Sequence, residues 1–226
     1  MAKTFLNIYT EVGYLIGDEG TDTQTKIKAW INDIVRDVNS RYDWPWLLVE
    51  GATFNFADGT KSYVLTTAIA STLRKVKRVY RKDSNNNIIN LIKWSWRRVW
   101  ENLTHNTSNE AAPTHYAMKD KTLYPYPIAD TTYAGYVDYW KRGAELASGS
   151  DEPDCPDEWR HVFVYGAAWM GFQFQGDHQN ADIYLKKYEA TLKEMAQDIE
   201  RDEDLAPRWR TEQEQDMIDQ ERLRQD

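Results

Sequence analysis

The amino-acid sequence predicts an α+β protein: a four-helix bundle interrupted by a β-rich inserted domain, with an extended C-terminal tail. Three observations predict it. Apolar residues recur at a spacing near 3.6 before Pro45 and again after Pro156. Between Thr53 and about Trp140 the spacing falls to two and turn residues multiply. Beyond Asp204 large apolar residues become sparse. The expected boundaries are residues 1–47 and 148–204 for the two parts of the bundle, 48–147 for the insertion and 205–226 for the tail.

Phe5, Ile8, Tyr9, Val12 and Ile16 mark a first amphipathic helix that stops near Gly17 and Gly20. A second helix is capped within Thr21 to Thr23, carries Ile27, Trp30, Ile31, Ile34, Val35, Val38 and Tyr42 on one face, and ends by Pro45. In the insertion, Thr53 to Phe56 and Ser62 to Leu65 flank Asp58-Gly59 and predict a hairpin. Val76 to Tyr80 and Ile88 to Ile92 flank Asn85-Asn86-Asn87 and predict a second pair. Trp96, Val99, Trp100 and Leu103 predict a short helix. Tyr116 to Met118, Thr122 to Tyr124 and Tyr133 to Tyr139 predict three more strands, separated by Asp120-Lys121 and by Pro125-Tyr126-Pro127.

Small, acidic and Pro-rich residues from Ser148 to Pro156 mark the linker back to helix. Pro156 suits a first helical turn, with Asp157 and Glu158 at its positive end. Trp159, Val162, Phe163, Gly166, Ala167 and Met170 form one face of this third helix. A fourth carries Ala181, Tyr184, Leu185, Tyr188, Leu192, Met195 and Ile199. In the tail, Thr211 with Glu214 offers a capping box for a marginal helix bearing Met217, Ile218 and Leu223. So few large apolar residues do not make a core, so the tail is expected to be ordered only against another chain.

The net charge of −8 opposes general attraction to nucleic acid or anionic lipid. It conceals an asymmetry. Nine basic residues from Arg74 to Arg98, among them Lys77, Arg78, Arg81, Lys82, Arg97 and Arg98, face one acid, Asp83. From Asp198 to Asp226 eleven acids face five arginines. Oppositely charged regions suit contacts between subunits or with partners. The single Cys155 forms no internal disulfide, which favours a reducing, intracellular setting. The N-terminus shows no secretory signal, and no apolar run is long enough to span a membrane.

Signals for catalysis are weak. There is no phosphate-cradling Gly loop, no nucleophile elbow, no His-Glu-x-x-His and no paired Cys motif. Glu158 with His161, and His178 with Asp182, each offer two ligands on one helix face, but two ligands do not make a metal site and an ion-pair or capping role is the simpler reading. Asp151, Glu152, Asp154, Asp157 and Glu158 read as a solvated helix start before a cation site. Cys155 has no recognisable His partner. No catalytic residue, metal or cofactor is assigned. The aromatic runs Trp44-Pro45-Trp46 and Tyr124-Pro125-Tyr126-Pro127 read as packing.

Several stretches taken in order resemble the head-to-tail adaptor, or connector, proteins of tailed bacteriophages. They are Trp30-Ile31-Asn32 through Arg36-Asp37-Val38, Arg41-Tyr42-Asp43-Trp44-Pro45-Trp46, Ala112-Pro113-Thr114-His115-Tyr116, Leu123-Tyr124-Pro125-Tyr126-Pro127, Tyr136 to Lys141, Pro153 to Trp159, and Gln175-Gly176-Asp177 with Asn180-Ala181. The resemblance implies a structural virion protein, assembled in the host cytoplasm, that forms a ring of twelve copies between the portal and the tail tube or nozzle protein. Genomic DNA would pass through its channel without specific binding. The resemblance also implies that the C-terminal tail docks on the portal, and Trp209, Met217, Ile218 and Leu223 are its candidate contacts. Another neck or tail-completion protein, or a nucleic-acid-binding module using the basic insertion, are the alternative readings.

Overall fold

The computed structural model of the protein describes residues 3–105 and 109–201. The tail, with Trp209, Met217, Ile218 and Leu223, lies outside the described residues. The fold is mixed α+β. In chain order it runs α1 (Phe5–Ile16), α2 (Thr21–Arg41), β1 (Leu48–Phe56), β2 (Tyr63–Val64), α3 (Leu65–Ala68), β3 (Leu73–Lys82), β4 (Ile88–Asn90), β5 (Ile92–Lys93), α4 (Trp96–His105), β6 (His115–Lys119), β7 (Thr122–Tyr126), β8 (Tyr133–Lys141), α5 (His161–Gln175) and α6 (His178–Arg201). Single 3-10 turns lie at Pro45–Leu47 and Asp157–Trp159. The chain divides into two compact units, one of residues 1–46 and 143–226, the other of residues 47–142.

In the first unit α1 opens on a capping box, Thr4 with Asn7, and closes on Gly17 in the left-handed region, with Phe5, Ile8, Val12 and Ile16 buried. The second helix buries Ile27, Ile31, Ile34, Val35 and Val38. It ends at Arg41, and Pro45 begins the 3-10 turn beyond it. The Trp44 ring is wholly buried, donates Nε1–H to the Val38 carbonyl at 2.7 Å and stacks on Trp46 at 4.7 Å. Along α6 Ala181, Tyr188, Leu192 and Met195 are buried, as their periodicity predicts. Tyr188 Oη donates to Asp37 Oδ2 at 2.5 Å, and Arg41 bridges Asp37 and Glu189, which ties α6 to α2.

Helix α5 departs from the sequence expectation of a single apolar face. It buries Val162, Phe163, Val164, Gly166, Ala167, Ala168, Gly171 and Phe172, because α1, α2 and α6 all pack against it. The approach is close. A Cβ at Gly166 would stand 2.8 Å from Ile34 Cγ2, and one at Gly171 would stand 2.9 Å from Ile16 Cγ2. The helix also starts later than Pro156 suggested, since Asp157–Trp159 forms a 3-10 turn first.

The second unit holds two four-stranded sheets, ordered β1-β8-β3-β4 and β2-β7-β6-β5. Phe54, Phe56, Val79, Val137 and Tyr139 from the first sheet meet Leu91, Tyr116 and Leu123, with Leu65 of α3, in one buried core. Gly135 on β8 leaves room for the Phe54 and Phe56 rings, which a Cβ would meet at 2.8 Å. The outer face of the second sheet carries α4, through Val99 and Leu103 against Ala117 and Ile128. Leu48 at the start of β1 stands opposite Trp140 near the end of β8.

The hairpin expected at Asp58-Gly59 does not form. Phe56 pairs with Tyr133 on β8, whereas Tyr63 pairs with Leu123 on β7, so the two strands belong to opposite sheets. The turn is present, with Gly59 at φ +64°, but it crosses the sandwich. Tyr63 packs edge-on against both Phe54 and Phe56, and burying these three rings between the sheets outweighs pairing their strands. Leu65, expected in a strand, starts α3. Pro125 and Tyr126 belong to β7 and do not end it. Proline is tolerated there because the two-residue β2 is paired only as far as Leu123 and leaves the Pro125 nitrogen side without a neighbouring strand. At Asp120-Lys121 both residues have positive φ, as a tight β6–β7 hairpin requires.

Replacing Gly166 by Ala is expected to cost about 1–3 kcal/mol, because Ile34 has little room to yield in a packed interior. Urea unfolding of the variant beside an exposed control, Ala29→Ser, measures it, and a loss no greater than the control's would contradict the close approach.

Candidate functional site

The sequence singled out six cations, and the structure separates them. Lys77, Arg78, Arg81 and Lys82 lie on β3, and Arg97 and Arg98 lie on α4. Strict alternation would put Lys75 and Lys77 on the same side of β3 as the buried Val79. Register shifts between Leu73 and Lys75 and between Val76 and Arg78 break the alternation, so that Val76 and Val79, three residues apart, both reach the core. Lys75, Lys77, Arg78 and Lys82 then gather on the outer face, against the rings that β8 and β3 present there.

The contacts form a ladder. Lys75 and Lys77 place their ammonium groups 5.2 and 5.9 Å from the Trp140 ring centre. The Arg78 guanidinium lies 5.0 Å from the Tyr80 ring, and Lys82 lies 4.8 Å from Tyr136. Tyr80 and Tyr136 are themselves stacked at 5.1 Å, nearly parallel. Each of these cations lies over the face of an aromatic ring. Beneath the ladder Asp138 is wholly buried, accepting from the Gly51 amide at 2.7 Å and from Arg78 Nε. Gly51, at φ +67°, sits in the β1 bulge that turns its N–H toward the carboxylate. The bond to Asp138 raises the Arg78 pKa, and burial, with the Asp138 charge, raises that of Tyr80.

Arg81 does not join the ladder. Its Nε donates to the Pro113 carbonyl at 3.0 Å and its guanidinium lies over Tyr133, so it links β3 to the segment leading into the second sheet. On α4, Arg97 pairs with Glu101 at 2.8 Å, one turn on, and Arg98 covers Trp94 at 3.9 Å. A second aromatic group gathers beneath α4, where Trp96 meets Tyr124 at 4.2 Å and Trp94 meets His115 at 3.8 Å. Burial, with the nearby Arg98 charge, lowers the His115 pKa. The Trp100 ring on the same helix is half exposed.

The acidic linker is organised by a residue that sequence reasoning passed over. Arg160 is buried, with Glu152 at 2.9 Å and Asp157 at 3.5 Å, and donates to the carbonyls of Cys155 and Lys3. The Asp151 carboxylate accepts from the amides of Ala147 and Ser148, which lowers its pKa. The Asp154 carboxylate accepts from the Ala144 amide at 3.1 Å. Among the described residues no group of three or more His, Cys, Asp or Glu side chains could hold a metal ion. His161 Nδ1 lies 2.8 Å from the Glu158 backbone carbonyl. Cys155 is buried, and burial pushes its thiol up to about 12. No described helix is long and apolar enough to cross a membrane.

Comparison with known families gives this arrangement a setting. The SU10 adaptor protein family matches residues 3–212. The chain belongs to that family. The SU10 adaptor family consists of structural bacteriophage proteins of the head–tail neck, which act by contact with other head and tail proteins. No curated protein matches the chain.

Two outcomes are expected of this adaptor. Asp138→Asn removes the charge that Arg78 faces and should cost about 1–3 kcal/mol, whereas Lys82→Ala should stay within about 0.5 kcal/mol. Equilibrium urea unfolding separates the two, and equal losses would remove Asp138 from its structural role. Cys155 should react with a maleimide at pH 7.5 only as fast as the fold opens, so rapid labelling of the native protein would contradict its burial.

Proposed function

We propose that this adaptor closes into a ring between the portal and the tail tube or nozzle protein and continues the channel through which DNA leaves the capsid. Membership of the adaptor family carries this reading. Within it, α1, α2, α5 and α6 form a four-helix bundle, and residues 48–147 form the β-rich domain inserted between its halves. Twelve copies, the number implied by the resemblance, make the ring. The C-terminal residues 205–226 dock on the portal through Trp209, Met217, Ile218 and Leu223, whose apolar area gains burial only against another chain.

The charge pattern supports ring closure. A ring is built from heterologous contacts, in which one surface of a subunit meets a different surface of the next, and opposite charges on the two surfaces suit that geometry. Lys77, Arg78 and Lys82 on the sheet face, with Arg81, Arg97 and Arg98, are the candidate residues for inter-subunit or partner electrostatics. The overall charge of −8 lets DNA pass without adhering.

A nucleic-acid-binding role for the same cations is the second reading. The stacked faces of Tyr80 and Tyr136 weigh against it, because rings already covered by each other and by cations offer no face to a base.

The full-length protein is expected to co-sediment with the portal ring of its phage, and a chain truncated after Asp204 is not. Loss of portal binding in neither form, or binding by neither with tight, salt-sensitive association with DNA, would overturn the docking or the adaptor reading respectively.

A further inference from the structure

We infer that the open edge of β4 pairs with the open edge of β1 of a second copy, continuing one antiparallel sheet from subunit to subunit. The inference rests on the ring reading above and names the two surfaces that would meet. The order β1-β8-β3-β4 makes β1 and β4 the two ends of one sheet. An edge strand carries a row of outward N–H and C=O groups, and folded proteins blunt such edges with charge, proline, bulges or short length. In the other sheet both edges are short, β2 and β5 being two residues each, and β5 carries Lys93. The first half of β1 carries Glu50 and a bulge. Two five-residue runs have neither charge nor proline: Ala52-Thr53-Phe54-Asn55-Phe56 on β1, and Asn87-Ile88-Ile89-Asn90-Leu91 along β4 and its flanks.

The backbone groups of the two runs are in phase. Asp83 N–H donates to the Asn87 carbonyl and Leu91 N–H to the Val79 carbonyl, so hydrogen-bonded pairs alternate along β4, and Ile88 and Asn90 turn their N–H and C=O away from β3. The same alternation, carried through β3 and β8, turns Thr53 and Asn55 outward on β1. Centred on each other, the runs set Ile88 opposite Asn55 and Asn90 opposite Thr53, so that each pair exchanges both backbone bonds. The side chains agree. Ile88 stands beside Lys82, Asn90 beside Tyr80 and Thr53 beside Tyr136, so these residues, with Asn55 two places on, share the outer face, where all four are exposed. Ile88 is an apolar side chain left 54% exposed, and a neighbouring strand would cover it. Direction agrees as well. Three antiparallel steps separate β1 from β4, so a copy in the same orientation brings its β1 antiparallel to β4. Because the two edges differ, the contact is head to tail, as a closed ring requires.

A pair of added cysteines tests the contact, since the buried Cys155 does not compete for reagent. Full-length Ile88→Cys and Asn55→Cys chains are mixed, treated with a short bismaleimide alone and on the portal ring, and mapped by mass spectrometry. Links between the β4 cysteine of one chain and the β1 cysteine of another are expected in at least one of the two states. Asn90→Pro removes an outward N–H and leaves the pairing with β3 intact, so in the Ile88→Cys chain it should lower the yield about tenfold without moving the urea midpoint of the free protein. Asn90→Lys, which keeps that N–H, should lower the yield too, and Thr53→Glu in the Asn55→Cys chain should restore it through a cross-strand pair of opposite charge. A yield that neither Asn90 variant changes would overturn the proposal. So would β4 cysteines linked only to each other, which would mean that like edges meet, or linked only to another protein. A ring that forms on the portal without β4–β1 links overturns it and leaves the ring reading standing, whereas the absence of a ring in both states removes both.

Discussion

A carboxylate with no access to water fixes the register of the β-rich unit. Asp138 lies on β8 between Val137 and Tyr139, both of which point into the core. A slip of one residue would turn the carboxylate into that core and expose its apolar neighbours. The charge is tolerable on the other face because the β1 bulge brings the Gly51 amide to one oxygen and β3 brings Arg78 to the other. One side chain on the central strand thus ties down both of its neighbours. The ladder of rings and cations follows from that register, since Tyr136 and Trp140 alternate with the core residues only in this alignment.

The helical unit solves a different problem by the same economy of space. Helix α5 touches three other helices, and glycines at two of its positions let Ile34 and Ile16 come close enough to fill the volume. Polar ties lie around that contact. Asn32 exchanges two hydrogen bonds with the backbone of Leu146, and Arg160 gathers the linker acids and the Lys3 carbonyl. These bonds fasten segments far apart in sequence. They make the acidic linker part of the helical structure, which is why its carboxylates, suggestive in sequence, are occupied in the fold.

Much of this was legible beforehand, for identifiable reasons. Helices α1, α2 and α6 have one buried stripe each, and a stripe is visible as a period. The β6–β7 hairpin was legible because its turn and its strands are consecutive. Helix α5 shows only one face in the sequence because burial on several sides leaves no polar face to set a phase. At Asp58-Gly59 the sequence shows the turn and not its consequence, since whether two strands pair depends on what their rings meet across the core. The cation ladder was visible only as composition. Its geometry depends on two irregularities in β3, which no alternation rule supplies, and on partners in β8 more than fifty residues away. Asp138 and Arg160, both buried, give no signal because a lone charge in a sequence looks like a surface charge.

The opposition of Leu48 and Trp140 on adjacent strands has a consequence on another timescale. The β-rich unit leaves the chain and rejoins it at neighbouring points, so its two ends would be joined by a turn of a few residues were the unit removed. Among descendants of a common ancestor such a unit can be shortened, enlarged or exchanged while the sequence on either side is kept. Selection can then change that unit by recombination without disturbing the rest.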